Sequence, residues 1–265
     1  MNAAEENLPD MPDPEPDEDS SPDASDVPPP QPSRSTRLPP VEPPGDADPD
    51  NLNVRRALAA DLLQIGAVSL RPEDPFTWSS GMQSPIYCDN RVTLGYPRIR
   101  TAIRDGFHHI VRRLHSSPDV VAGTATAGIP HAAWLADRLD LPMAYVRGEA
   151  KSHGRQNRIE GVVRRGQTVV LIEDLISTGG SALSAARALQ AAGANVLAVI
   201  AIFSYELTAA ASAFQEHDLA CHTLTDFSTL IDVARRENDL PDAAFESLSE
   251  WRMDPDEWSD SRQED

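Results

Sequence analysis

The chain of 265 residues carries 42 acidic against 23 basic side chains, 40% hydrophobic residues and two cysteines. Its net charge of −19 is concentrated at the ends: residues 1–50 hold 14 acids and two arginines, residues 237–265 hold 11 acids and two arginines, and the segment between keeps 17 acids against 19 bases. Two isolated cysteines without metal-type spacing exclude a disulfide scaffold, and a mildly basic middle with no basic extension points away from nucleic acid and towards a small polyanion.

Residues 1–50 contain 14 of the 23 prolines and no aromatic residue. Such a segment buries too little apolar surface to offset its ordering entropy, so it is expected to be a disordered acidic tail. It has neither a basic start nor an apolar stretch, which argues against a signal peptide. The longest later apolar run, Val196 to Phe203, is far too short to span a bilayer. A cytoplasmic protein with no membrane partner is the expectation.

Val54, Leu58, Leu62 and Ile65 recur at helical spacing after Asn51 and Asn53, which predicts an opening helix over 52–65. Short extended pieces follow at Val68–Leu70, Phe76–Trp78 and Ser84–Cys88, separated by Pro and Gly, and suggest a small β-rich lobe over roughly 66–95. Ile99, Ile103, Phe107, Ile110 and Leu114 mark a long amphipathic helix. From Asp119 the pattern alternates. Strands are expected at Asp119–Gly123, Met143–Arg147, Thr168–Ile172, Val196–Phe203 and Cys221–Leu224. Helices are expected at Ile129–Leu139, Ala182–Ala192, Leu207–His217 and Phe227–Arg236. Alternation of this length predicts an α/β core over 119–236, a parallel sheet with helices on both faces. One more helix around Phe245, Leu248 and Trp251, begun by Pro241 at its first position, closes a domain spanning 51–252. Residues 253–265 are expected to be a loose acidic tail.

The chemistry centres on Glu173-Asp174-Leu175-Ile176-Ser177-Thr178-Gly179-Gly180-Ser181, where an apolar strand gives way to a helix. Glycines let a backbone close around phosphate, hydroxyls add donors, and a helix N-terminus offers unpaired N–H groups. The two carboxylates accept hydrogen bonds from sugar hydroxyls or hold a hydrated divalent cation. The stretch reads as a sugar-phosphate site; a capped strand–turn–helix junction is the plainer alternative. Ala122-Gly-Thr-Ala-Thr-Ala-Gly-Ile-Pro130 offers a second small-residue loop before a helix. Arg147 to Gly161 is a polar, basic, glycine-rich connection that holds Lys151, the one lysine beside 22 arginines. A compact ammonium does what a planar guanidinium cannot, and Arg147, Lys151 and His153 together suit a pyrophosphate leaving group. In Phe76 to Arg91, Tyr87 and Arg91 suit a flat base bearing a carboxylate.

With these motifs in place, the chain resembles orotate phosphoribosyltransferases, members of the type I phosphoribosyltransferases, along nearly all of 52–252. The resemblance rests on Phe76-Thr-x-x-Ser-Gly-x-x-Ser-Pro-x-Tyr87, Gly123-Thr-Ala-Thr-Ala-Gly-Ile-Pro130, Arg147-x-x-x-Lys-x-His-Gly154 and Glu173 to Ser181. It implies the type I fold, a five-stranded parallel sheet under a small hood built by the N-terminal lobe. It implies transfer of a phosphoribosyl group from phosphoribosyl pyrophosphate to orotate, giving orotidine 5′-phosphate and pyrophosphate in pyrimidine synthesis. It also implies a Mg2+-dependent homodimer whose 148–160 loop reaches the partner's site, with the ion held through pyrophosphate and water rather than directly by side chains. Carried over by position, Arg147, Lys151 and His153 contact pyrophosphate, and Glu173 and Asp174 hold the ribose hydroxyls. Ser177 to Ser181 take the 5-phosphate, with Ser177 also near orotate. Leu175 and Ile176 complete the donor-binding stretch, and Lys151 and Asp174 act in catalysis. The chain departs from many relatives at Ser79 and Gly148, where they carry basic residues, and near Ser204-Tyr205, where some place an arginine for orotate. Arg91 is the candidate substitute. A phosphoribosyltransferase for another base and a non-enzymatic sensor of phosphoribosyl pyrophosphate are the competing readings.

Overall fold

The computed structural model describes residues 51–78, 81–148, 158–237 and 241–263. The tail 1–50 and the 149–157 part of the basic loop lie outside the described residues. Helix α1 (Leu52–Gln64) begins at Asn51, whose Oδ1 accepts the Asn53 amide at 3.0 Å. Four short strands follow, β1 (Val68–Leu70), β2 (Phe76–Thr77), β3 (Gln83–Ser84) and β4 (Ile86–Cys88), paired antiparallel as β1 with β4 and β2 with β3. This is the expected small lobe. It ends in a 3-10 turn, Asn90–Gly95, that leads into α2 (Pro97–Arg113).

The core runs β5 (Val120–Thr124), α3 (Gly128–Leu139), β6 (Met143–Val146), β7 (Ile159–Gly161), β8 (Thr168–Ile176), α4 (Gly180–Ala191), β9 (Asn195–Ser204), α5 (Thr208–Glu216), β10 (Cys221–Asp226) and α6 (Phe227–Arg236). The sheet has six strands in the order β10-β9-β8-β5-β6-β7, one more than the five expected. The addition is β7, which pairs antiparallel with β6 while the other neighbours are parallel. Its three residues are too few to stand out from the polar loop that precedes them. Arg147 N–H donates to Arg158 O at 2.8 Å, so β6 and β7 form the base from which 148–157 emerges.

Burial on both faces explains the unbroken apolar runs of the central strands. Along β8, Val170 and Ile172 join the core beneath α1, α2, α3 and α6, whereas Val169 and Leu171 join the one beneath α4 and α5. After α6 comes α7 (Asp242–Met253), with Pro241 at the N-cap rather than at the first helical position. Leu248 and Trp251 are fully buried.

The expectation of a loose end after residue 252 is corrected. Residues Pro255–Gln263 form helix α8, with Trp258 and Ser259 buried against α7 and the small lobe. Its acidic first turn, Asp256 and Glu257, complements a helix N-terminus, and two contacts by Arg262 complete its docking. The charge count of the segment concealed this arrangement.

Candidate active site

The direction of the chain reverses between β5 and β8. From β5 it moves through α3 to β6 on one side; from β8 it moves through α4 to β9 on the other. Such a switch opens a crevice beyond the carboxyl ends of the two strands. Here β5 pairs with β8 only as far as Gly123 opposite Ile172, while β9 pairs with β8 to Ser204 opposite Ile176. Glu173 and Asp174 therefore lie within β8 rather than after its end, as the composition of the stretch suggested. They are held by β9 on one side and released by β5 on the other.

The crevice is a cavity of about 380 Å³ whose walls include Ala125, Thr126 and Ala127 after β5, and Glu173, Asp174, Leu175 and Ser181 on the β8–α4 side. Cys88, Asp89 and Arg91, from the end of the small lobe, form the third wall. Both helices that point at this region begin without a side-chain cap: α3 after Ala127 and α4 after Gly179. The same is true of α2, α5 and α7, whereas α1 and α6 are capped by Asn51 and Asp226. Both N-termini turn a positive dipole end towards an anion; α4 carries a backbone N–H at each of its first positions, whereas in α3 Pro130 has none and the Ile129 amide donates to Thr126 O at 3.3 Å. Glycine is needed at both. A Cβ on Gly128 would lie 2.5 Å from Ile172 O, and Gly179 has φ +84° with a Cβ position 2.9 Å from the Phe214 ring.

Glu173 is 5% exposed, and its carboxyl accepts the Asp174 amide at 3.0 Å and the Ser181 hydroxyl at 3.3 Å. Burial, and then the charge of Asp174, push it up to about 8. The neighbouring Asp174 carboxyl is raised as well, chiefly by loss of water. An acid pair in this state gains from anything that donates hydrogen bonds to it or neutralises it, such as a vicinal diol or a hydrated cation.

The sequence-derived residues fall into three groups. Glu173, Asp174, Leu175 and Ser181 line the cavity, and Ile176 to Gly180 continue from it into α4. Arg147 stands at the end of β6, beside the β5 loop, but does not line the cavity. Its Nη1 is 3.7 Å from Glu160 Oε1 and, though buried, makes no hydrogen bond. Lys151 and His153 lie outside the described residues. Arg91 does reach the cavity, but Asp89 grips it through two hydrogen bonds, Nε–Oδ1 at 2.7 Å and Nη2–Oδ2 at 3.0 Å. Sequence reasoning missed Asp89 and Asn90. Buried Asn90 donates to Asp174 O at 2.8 Å and ties the small lobe to β8. The Asp-Asn pair after β4 was visible as a turn signal, but nothing local showed where it lands.

The comparisons with known proteins agree with this geometry. A phosphoribosyl transferase domain model matches residues 96–232. An orotate phosphoribosyltransferase of Bacillus cereus is 52% identical over 202 residues, 76% of this chain and 96% of the relative. One from Bacillus caldolyticus is 54% identical over 205 residues, 77% and 99% of the two chains. The crystal structure of orotate phosphoribosyltransferase from Aeropyrum pernix superposes with a TM-score of 0.58 at 28% identity, covering 69% of this chain and 99% of that one. A switch-point cavity holding a buried acid pair between two uncapped helices, together with identity above half across almost the whole length of the two Bacillus relatives, places this chain in the orotate phosphoribosyltransferase family.

Proposed function

We propose that this chain transfers the 5-phosphoribosyl group of phosphoribosyl pyrophosphate to orotate, releasing pyrophosphate and forming orotidine 5′-phosphate for pyrimidine synthesis. The observation that carries the reading is the placement of Glu173 and Asp174 at one cavity between the N-termini of α3 and α4. A ribose bearing phosphate at both ends needs a diol acceptor in the middle and an anion cradle on each side. The α4 N-terminus with Ser177 to Ser181 takes the 5-phosphate, and the loop 125–127 with Arg147 takes the pyrophosphate. Glu173 and Asp174 accept from the ribose hydroxyls. Asp89 and Arg91 face them across the cavity, where the base enters, with Ser177 near it.

Mg2+ fits this donor set indirectly. Glu173 and Asp174 are the residues that would hold the ion, through water, with the pyrophosphate as its other support. The buried acid pair, short of solvent hydrogen bonds, would accept hydrogen bonds from that water. When bound, the ion supplies positive charge to the departing pyrophosphate.

The remaining work falls to the chain. As the C1–oxygen bond of the donor breaks, positive charge develops on the ribose ring and negative charge on the leaving oxygens. Asp174 lies where the electron-poor ring is expected. Arg147, and Lys151 on the loop emerging between β6 and β7, meet the leaving group. No covalent nucleophile is required. Exclusion of water from the site would protect the donor from hydrolysis. We assign the 148–160 loop to the site of a second subunit in a homodimer, and the protein to the cytoplasm. Among the described residues no helix is long and apolar enough to cross a membrane.

The test is incubation with phosphoribosyl pyrophosphate, Mg2+ and one base at a time. Orotate absorbance is expected to fall with stoichiometric pyrophosphate release, while uracil, adenine and hypoxanthine remain. Consumption of another base in preference to orotate overturns the acceptor, and binding of the donor without consumption of any base overturns the activity.

A further inference from the structure

The C-terminal helix α8 lies beyond the residues matched by the family model, yet its buried side is spent on the small lobe. Ser259, 2% exposed, accepts the Gln83 amide on β3 at 2.9 Å. Arg262 bridges two elements, donating from Nη1 to Pro72 O at 3.0 Å and from Nη2 to Ser247 Oγ on α7 at 3.1 Å. The same guanidinium lies over the Trp258 ring at 4.6 Å, and Trp258 Nε1 donates to Ser247 Oγ at 3.2 Å. Ser247, Trp258 and Arg262 thus fix α8 on α7, and Ser259 and Arg262 reach from there to the two flanks of the β2–β3 hairpin.

The hairpin's own strand pairing is slight. Its ladder is two residue pairs, Phe76 with Ser84 and Thr77 with Gln83, and a two-stranded ribbon of this length is not stable alone. On its inner side Phe76 packs against Tyr87 in a tilted pair, with ring centres 5.4 Å apart, and Tyr87 lies in β4 directly before Cys88, Asp89 and Arg91 on the cavity wall. Trp78 at its end packs on Tyr205 and edge-on to Trp251 of α7, each at 6.4 Å. A shift of the hairpin is therefore transmitted to the wall where the base enters. The route from the hairpin to the phosphate cradle is less direct: it runs through Tyr205, on which Trp78 stacks and whose amide donates to Ile176 O on β8 at 3.0 Å.

We infer that α8 is a positioning strut for the acceptor side of the site: Ser259 and Arg262 hold the β2–β3 hairpin so that the Cys88–Arg91 wall is preformed for the base. This rests on the activity proposed above. It concerns the C-terminal segment, which no part of that proposal uses.

The test is the full chain carrying Ser259→Ala, Arg262→Ala or both, assayed below each variant's own melting transition. Loss of two hydrogen bonds to an element that organises the wall is expected to raise the KM for orotate about tenfold. Affinity for phosphoribosyl pyrophosphate, measured by calorimetry, should stay within about twofold. Amide hydrogen exchange across residues 72–84 should quicken in the same variants, a readout independent of turnover. Equal changes in both substrates, an unchanged KM for orotate, or unchanged exchange over 72–84 would each overturn the strut. A wild-type chain inert toward orotate refutes the activity instead, and leaves the exchange experiment to judge α8.

Discussion

Replacing Glu173 by Gln should make the ligand-free protein more stable at high pH while disabling it. Folded Glu173 keeps its proton to about pH 8 against 4.5 for an ordinary side chain. Between those values the folded state binds more protons than the unfolded one, so the stability contributed by this site is fully present below 4.5 and falls as pH rises through the window. Gln mimics the protonated acid: its Oε1 still accepts the Asp174 amide, and its amide group can donate to the Ser181 hydroxyl where the carboxyl accepted from it. At about 1.4 kcal/mol per unit, the gap sets an upper bound of roughly 5 kcal/mol. The Asp174 carboxyl beside it is raised as well, chiefly by burial, so the gap belongs in part to the pair and a difference on the order of 3 kcal/mol is expected by about pH 9. In urea this is a midpoint shift on the order of 1 M. Urea denaturation of both proteins at about pH 5, 7 and 9 should give curves that coincide at the acid end and separate progressively. A difference that does not depend on pH, or a variant that is weaker at high pH, would falsify the account of the acid pair as a strained, buried site. The cost should appear in function, since the amide cannot act as a carboxylate toward the ribose hydroxyls.

Gly179→Ala places a side chain at φ +84° against the Phe214 ring and should cost roughly 1–2 kcal/mol. The loss is expected mainly as weaker binding of phosphoribosyl pyrophosphate, read by calorimetry; unchanged affinity would detach the α4 N-terminus from the 5-phosphate. Lys151→Ala should reduce kcat and kcat/KM together by about 10²–10³ with little change in donor affinity, and Lys151→Arg should recover little. A fully active Lys151→Arg enzyme would make this lysine a generic cation. Mixing Lys151→Ala with Asp174→Asn subunits should restore activity if the 148–160 loop is shared; no recovery after demonstrated subunit exchange sinks the shared site. Removal of residues 1–50 should leave turnover within about threefold, under ~1 kcal/mol, and a hundredfold loss would show that the tail reaches the site or the dimer.

Much of the molecule was legible in the sequence because its signals are local. The run Thr168 to Ile172 is apolar since the strand is buried on both faces, and the period of Ile99, Ile103 and Phe107 is that of a helix with one buried side. The stretch Glu173 to Ser181 could be singled out because its acids, hydroxyls and glycines lie close together in sequence, and Glu173, Asp174, Leu175 and Ser181 do line one cavity. What only the tertiary structure decided depends on partners distant in sequence. The extension of β8 through Asp174 follows from pairing with β9, whereas its release from β5 opens the cavity. Asn90 is a plain turn residue until its amide meets Asp174 O, 84 positions away. Arg91 looked free to read a base, but Asp89 holds it. The end of the chain, acidic enough to read as solvent-exposed tail, becomes a helix because Ser247, Gln83 and Pro72 supply it with hydrogen-bond partners that no window of local sequence contains.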